Sequence, residues 1–556
     1  MIPPVAFNPE RMYTDPLDLI IFSLYLLLVV FVGYKVSSRQ KMDSEDYFLA
    51  GRNLTWWIIG GSLIAANIST HHFIGMAGQG YTIGLAIASY EWLAAIMLII
   101  YGKFFLPYYI RTGITTMPEF LERRFNPKVR LIFAIISLFG YVFIELAVVL
   151  FTGSLAMQSI FGLPLTTGLV ILCVVAGGYT LYGGLRSVAY TDMIQVGVLI
   201  AGGITVTILG LIKVGTISPD HSGNIFGGFQ ALIDGAPDKF TMVQTWNHPE
   251  LPWIGVFFGG LWLANLFYWG CNQFITQKTL AAKDIWHGQM GVVFAGYLKL
   301  LVPFMVVIPG IIAYKLYDPV SGLMAGQEAE LGLTPDLSFP VLVKNLLPAG
   351  LSGLVMAGLM GAVMSTIASL LTSSSAIFTF DIYKRNFNPD ADSQRLKMVG
   401  RLMVIGVLLT ATAFGFMLRE IDAIFTYIQR YWSIAWPAVS AVFLTGFFYK
   451  RATWKGALIT MVVGPLWAMT FTFAENFELV PSLAFLNRAT IDFVVCMFII
   501  WVFRNKSDQI APEAEIDNSL PDDIQAEVDQ LPWYKKFSTW SLVLIAIIVI
   551  FYIRFF

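Results

Sequence analysis

The chain has 556 residues, of which 57% are apolar and 13% charged, with a mean hydropathy of +0.69. Soluble domains run about 45–50% apolar and about 25% charged, so this composition excludes a soluble globular protein and indicates a polytopic membrane protein. The net charge of −1 excludes a general pull toward nucleic acid. Cys173, Cys271 and Cys496 are scattered through apolar segments, with neither metal-ligand nor disulfide spacing.

A spanning helix needs about 20 mostly apolar residues. Fourteen such segments are expected, centred near residues 27, 68, 95, 143, 172, 201, 263, 300, 363, 408, 435, 464, 493 and 547. Residues 1–16 are polar, with neither a charged n-region nor a small-residue cleavage site, so 17–36 reads as a retained helix and not as a signal peptide. The second segment, 55–81, contains GGSLIAANISTHHFIGMAGQG, where Asn67, Ser69 and Thr70 interrupt the apolar pattern. The third carries Glu91 near its start, the fourth Glu145, and the sixth Asp192. Residues 215–250 form a long loop rich in Gly, Asp and His. The seventh segment, 251–275, is crowded with Asn265, Tyr268, Asn272 and Gln273, and its break is expected at Trp269-Gly270.

Irregular backbone at membrane depth is tolerated only where it lines a cavity or is buried in protein. The two interrupted segments lie five spans apart, and an odd offset inverts the second copy. Such a pair points to a binding site between inverted repeats of a transporter. The plainer alternative is that the small residues let helices pack closely.

Lys299 lies in the eighth segment, and Gln429 and Arg430 in the eleventh. Glu91 and Lys299 either neutralise each other or stand beside a polar solute. A sugar hydroxyl both donates and accepts, so its site wants carboxylate, amide and ammonium groups with an aromatic face. Asn265, Gln429, His72 and Tyr268 complete such a set. The ninth segment, 356–384, is dense in hydroxyls. Ala362 and Thr366 share one face, as do Ser365 and Ser369. These oxygens suit Na⁺, a hard cation, or else bond back to their own helix. Residues 507–533 hold eight acidic residues and no basic one, and read as a solvated linker before the last helix.

With the N-terminus outside, Lys and Arg favour the cytoplasmic loops by roughly three to one, a strong positive-inside bias. No GxxxxGK[ST] phosphate loop and no nucleophile–base set is present, so neither a primary pump nor an enzyme is expected.

The motifs DYFLAGRNLTWW (46–57), GGSLIAANIS (60–69), LAIASYEW (85–92), NLFYWGCNQFITQKTLAAK (265–283), FAGYLKL (294–300) and AIFTFDIYK (376–384) resemble the sodium/solute symporter family. Within it, the chain is most similar to the sodium/glucose cotransporter branch, particularly its bacterial sodium/galactose members. Similarity runs from about residue 15 to 470. The resemblance implies an all-α membrane protein with 14 transmembrane helices and a LeuT-type core of inverted repeats (5+5). One helix would precede the core and three would follow.

The implied divisions are an extracytoplasmic N-terminus at 1–16, a peripheral helix at 17–36, and repeats at 55–214 and 251–447. Peripheral helices at 455–503, an acidic cytoplasmic linker at 504–537 and a last helix at 538–556 complete the chain. By the same resemblance, sodium falls on the carbonyls of Ala65, Ile68 and Ala362 and the hydroxyls of Ser365 and Thr366. The sugar falls on His72, Glu91, Asn265, Lys299 and Gln429, with Tyr268 stacking as the inner gate and Asn67 linking the two sites. Asp192 and Ser369 mark a candidate second sodium or gating position, where Ala368 offers no oxygen.

There are departures. His72 replaces a glutamine of the bacterial relative, as in the animal glucose cotransporters, and Ala94 replaces a serine. Glu145 has no family role, and Arg430 is its candidate partner. The expected activity is Na⁺-driven import of a neutral monosaccharide across a plasma membrane (an inner membrane in a bacterium), with both termini extracytoplasmic. The expected partners are the sugar, the sodium ion and the lipid bilayer, and no nucleic acid. The alternatives are the same fold carrying inositol, sialic acid or an amino acid, and a sugar-sensing membrane receptor.

Overall fold

A computed structural model of the chain describes residues 15–37, 43–324, 333–418, 424–506, 516 and 530–556. Residues 1–14 and most of the acidic 507–533 run lie outside the described residues, and with them the expectations placed there. Among the described residues the chain is helical. The β-type pairing recorded there is an isolated bridge between Leu54 and Ala282.

Ten helices are long and apolar enough to cross a membrane. They do not map one to one onto fourteen expected segments. The helix Leu165–Ile217 covers two of them in 53 residues and bends at Gly184, whose φ of 53° is left-handed. A Cβ there would meet the Tyr47 carbonyl at 2.3 Å, so both the turn and the close approach require glycine. Three other expected segments, near residues 68, 263 and 435, are interrupted helices and fall outside the ten.

The interruptions follow from local sequence. Trp56–Asn67 ends where Ile68 turns extended, at φ −78°, ψ 119°. The chain resumes with a wide π turn at His71–Met76 and the helix Ala77–Thr82. The seventh segment loosens into a π turn at Phe267–Cys271 and breaks at Asn272, at φ −84°, ψ 121°. The break therefore falls two residues beyond the expected Trp269-Gly270. Asn272 itself adopts the extended conformation, while Gly270 stays within the widened turn. Ile68 and Asn272 share nearly one backbone geometry, five spans apart.

Burial separates core from periphery. The spans Leu351–Phe387 and Leu85–Phe104 are 94% and 89% buried across their most apolar windows. Pro16–Val36 and Phe537–Arg554 are 22% and 17% buried, and their exposed faces are apolar, as lipid-facing helices require. The first helix is pinned by Asp18, whose Oδ1 accepts from the Gly350 and Gly353 amides at 2.7 and 2.8 Å. Those donors open the helix Leu351–Ala376, so the carboxylate caps it.

The second half of the broken second segment packs backbone to backbone against Ile285–Tyr317. A Cβ on Gly310 would meet the Ala77 carbonyl at 2.1 Å, so this crossing depends on glycine.

The aspartate of the AIFTFDIYK motif sits at the end of the ninth span, in the wide turn Ile377–Phe387. Asp381 pairs with Arg130 at 2.6 Å and accepts from Thr116 at 2.7 Å. Arg130 also pairs with Glu122, which binds Arg385 at 2.8 Å. Partial burial pushes the Glu122 carboxyl upward, and the two guanidiniums more than offset it, leaving it below the ordinary carboxylate range.

Candidate functional site

The helix break at Ile68 and the π turn at Phe267–Cys271 face one internal cavity of about 60 Å³. All seven substrate residues expected from sequence line it: Asn67, His72, Glu91, Asn265, Tyr268, Lys299 and Gln429. They come from five stretches that sequence separates by up to 362 positions, and the two breaks are what bring them together.

Asn67 is the hub. Its Nδ2 donates to the Tyr268 hydroxyl at 3.0 Å, and its Oδ1 accepts from Lys299 Nζ. Lys299 also donates to Glu91 Oε2 at 2.5 Å and lies 4.8 Å from the Trp269 ring centroid. His72 Nε2 stands 3.5 Å from the other Glu91 oxygen. The pair Glu91–Lys299 therefore neutralises itself, as the first sequence reading has it, and lines the cavity.

Asn265 differs. Its Nδ2 is buried and meets no acceptor. A buried amide donor left unpaired costs about 1–3 kcal/mol, and among the described residues this one, on the cavity wall, has no acceptor. The other two amides of the seventh segment do not reach the cavity. Gln273 accepts from the Met117 backbone at 2.7 Å, and Asn272 accepts from the Tyr141 hydroxyl. They hold the break against its neighbours.

Sequence reasoning missed several lining residues. His71, Tyr90, Phe267, Ile428, Trp432 and Trp436 all contribute, and Trp269 lies under Lys299. Their signal is position: all but Trp436 lie within four residues of an expected site residue, and Trp436 opens the helix that follows Gln429. Glu145 also lines the cavity, on the π turn Gly140–Leu146. Among the described residues it forms no ion pair with Arg430, which is exposed. That expected partnership is not present, because the π turn aims the carboxylate inward while Arg430 faces out.

A second polar cluster lies behind the break. Thr366 Oγ1 donates toward the Ala66 carbonyl at 2.9 Å and the Ala362 carbonyl at 3.1 Å. The end of Trp56–Asn67 thus brings carbonyl oxygens within 3 Å of the ninth span's hydroxyls, a set made only of oxygens and suited to a hard cation. Of the five expected sodium residues, Ala65 and Ile68 lie within two positions of Ala66 at the end of the broken helix, and Thr366 reaches that end from the ninth span, whose Ala362 and Ser365 lie within one turn of it.

Ser365 does not stand free. Its hydroxyl donates to Asp192 Oδ1 at 2.5 Å. Asp192 is fully buried, accepts from the Ser62 hydroxyl and pairs with Lys278 at 2.9 Å. Lys278 Nζ also donates to the Ser62 carbonyl at 2.7 Å. This lysine was not among the expected intramembrane charges, because it sits in QKTLAAK beyond the apparent end of the seventh segment. The Ser369 hydroxyl is buried and without a partner.

A family model described as the sodium:solute symporter family matches residues 47–464. The chain belongs to the sodium:solute symporter family. It is 43% identical over 468 residues to a sodium/glucose cotransporter of Vibrio parahaemolyticus, covering 82% of this chain and 85% of that protein. It is 33% identical to sodium/glucose cotransporter 1 of Oryctolagus cuniculus, covering 80% and 70%. It is 34% identical to sodium/myo-inositol cotransporter 2 of Sus scrofa, covering 83% and 70%. Among solved structures, a Na⁺-coupled sialic acid symporter in a substrate-bound outward-open state superposes with a TM-score of 0.75 at 22% identity, covering 88% of this chain and 97% of that one.

The family and that superposition give the chain a LeuT-type fold and make it a multi-pass sodium symporter. It is a transporter and not an enzyme, and Na⁺ is its coupling ion.

Proposed function

We propose that this symporter imports a neutral monosaccharide of the glucose or galactose type with Na⁺, by alternating access at the Asn67–Tyr268 cavity. The observation that carries the reading is the unpaired Asn265 amide beside a self-neutralised Glu91–Lys299 pair. Such a site offers hydroxyls both donors and acceptors and leaves no unspent positive charge for an anion. Tyr268 and Trp269 supply the aromatic face a sugar ring needs. The sodium/glucose relatives support the same class.

His72, Glu91, Asn265, Lys299 and Gln429 bind the sugar in this reading, and Tyr268 closes the inner side. Sodium binds the carbonyls of Ala65, Ile68 and Ala362 and the hydroxyls of Ser365 and Thr366. It holds the second span in its broken form, so that each ligand tightens the other's site. Asn67, adjacent to Ile68 and bonded to Tyr268 and Lys299, is the mechanical link. Lys278 already supplies a cation to Asp192, which favours one Na⁺ per sugar.

Fourteen spans follow if the interrupted helices cross the membrane and Leu165–Ile217 crosses twice. The repeats are then 55–214 and 251–447, with both termini extracytoplasmic in a plasma membrane. A cyclitol is the second reading, favoured by the myo-inositol cotransporter relatives, since inositol is likewise a neutral ring of hydroxyls.

The test is sodium-driven uptake into proteoliposomes, competed by a panel of hexoses, inositol and amino acids. Competition by hexoses supports the proposal, and competition by amino acids alone overturns it.

A further inference from the structure

The cavity contains one ionisable group that the proposed mechanism leaves without a task. Glu145 is 5% exposed, lines the cavity with Asn265, Gln429 and Trp432, and projects from the π turn Gly140–Leu146. Three wide turns border this cavity, and the other two deliver His72 and Tyr268. Wide turns of this kind recur at functional sites because the extra residue redirects side chains.

No cation neutralises Glu145 among the described residues. In the cavity, Lys299 is committed to Glu91 and Asn67. The Trp432 indole lies beside Glu145, with its N–H outside hydrogen-bonding geometry. The helices packed on the turn add nothing closer. Leu351–Ala376 carries no charged residue. Ser393–Gly415 has Arg395, Lys397 and Arg401 in its first nine positions, at its far end. Pro127–Phe139 holds Lys128 and Arg130 in its first turn, where Arg130 pairs with Asp381 and Glu122. Arg430 of Ile424–Ser433 is exposed. With Glu91 and Lys299 cancelling, the cavity keeps one carboxyl that no cation in it matches, and a buried carboxyl of this kind holds its charge only once a cation joins it.

We propose that Glu145 is a specificity-determining residue that filters solutes by charge: it admits aminohexoses bearing an ammonium group ahead of neutral hexoses, in a site that rejects sugars bearing a carboxylate. This rests on the monosaccharide reading above and extends the substrate class beyond neutral sugars. An ammonium group donates to the carboxylate in a charge-assisted hydrogen bond. A uronate brings a negative charge into a buried site that has no spare cation.

The experiment uses the purified full chain in liposomes at pH 6.5, where an amine of this kind is protonated. Sodium-driven uptake of labelled glucose is competed by glucose, glucosamine and glucuronate, in wild type, Glu145→Gln and Glu145→Asp. In wild type, glucosamine competes at lower concentration than glucose, and glucuronate does not compete. Glu145→Gln lowers the glucosamine-to-glucose preference by about tenfold, the scale of one charge-assisted contact, while glucuronate still does not compete. Glu145→Asp keeps the wild-type order.

Glucuronate competing as well as glucosamine in wild type overturns the filter, whatever the variants do, and so does an order unchanged in Glu145→Gln. A wild type that carries no hexose with sodium, and is not protected against heat by any of the three sugars, overturns the monosaccharide reading itself.

Discussion

At the scale of single residues, the proposed function divides the two clusters into an ion side and a solute side, and substitutions should split along that line. Thr366 reaches the Ala66 carbonyl across the break and the Ala362 carbonyl of its own helix, so Thr366→Ala removes a hydroxyl from a set with few oxygens. Losing one such contact is worth about 0.5–1.5 kcal/mol, or roughly 2- to 12-fold. The sodium concentration for half-maximal uptake should rise by that factor, and unchanged sodium dependence would remove Thr366 from the ion site. Asn265→Ala acts on the other side. It deletes a donor that has no partner within the protein, so the fold should lose little stability while the sugar concentration for half-maximal uptake rises about tenfold or more. Glu91→Ala is harsher, because it leaves Lys299 buried without its carboxylate. Uptake should vanish with the melting temperature falling as well, measured in detergent by light scattering or fluorescence.

At the scale of elements, Asp18 ties the peripheral first helix to the start of the ninth span. Asp18→Ala removes that cap and should lower stability by about 1 kcal/mol, read as a modest drop in melting temperature. Sodium and sugar dependence should stay as in wild type, since no cavity residue touches the cap.

Much of this element-level organisation was legible in advance. Asn67, Ser69 and Thr70 pointed to a break, with close helix packing as the alternative, and the chain does turn extended at Ile68. The second break was read two residues early. Gly270 is the obvious breaker in sequence, whereas Asn272 takes the extended geometry and is held there by the Tyr141 hydroxyl from another span. A contact 131 residues away leaves no local trace. The same holds for Lys278, whose surroundings look like a loop and whose ammonium is nonetheless fully buried on Asp192. Wide turns are likewise invisible to a 3.6-residue pattern, so Glu145 was noticed as a charge but could not be aimed.

At the scale of the whole molecule, the Asp192–Lys278 pair bears on how many ions move in each cycle. Lys278→Ala would leave Asp192 buried and unpaired beside the Ser62 and Ser365 hydroxyls, at a cost of about 3–5 kcal/mol unless another cation enters. Stability of that variant should therefore recover with added Na⁺ in a thermal-shift titration, and Lys278→Ala combined with Asp192→Asn should not need the salt. In the wild type, the reversal potential of sugar flux across liposomes with imposed sodium and voltage gradients should fit one Na⁺ per sugar. A slope for two would show that Lys278 leaves Asp192 during transport.

That tethered ammonium also sets how far the carrier can scavenge. A tenfold sodium gradient supplies about 1.4 kcal/mol and a 100 mV potential about 2.3 kcal/mol per charge, so one ion concentrates sugar roughly 500-fold at most and two would reach on the order of 10⁵-fold. A lysine built into the protein moves with it and returns with it, and delivers none of this work. If the proposed one-to-one coupling holds, the lysine fixed on Asp192 lowers both the sodium spent on each sugar and the accumulation the carrier can reach.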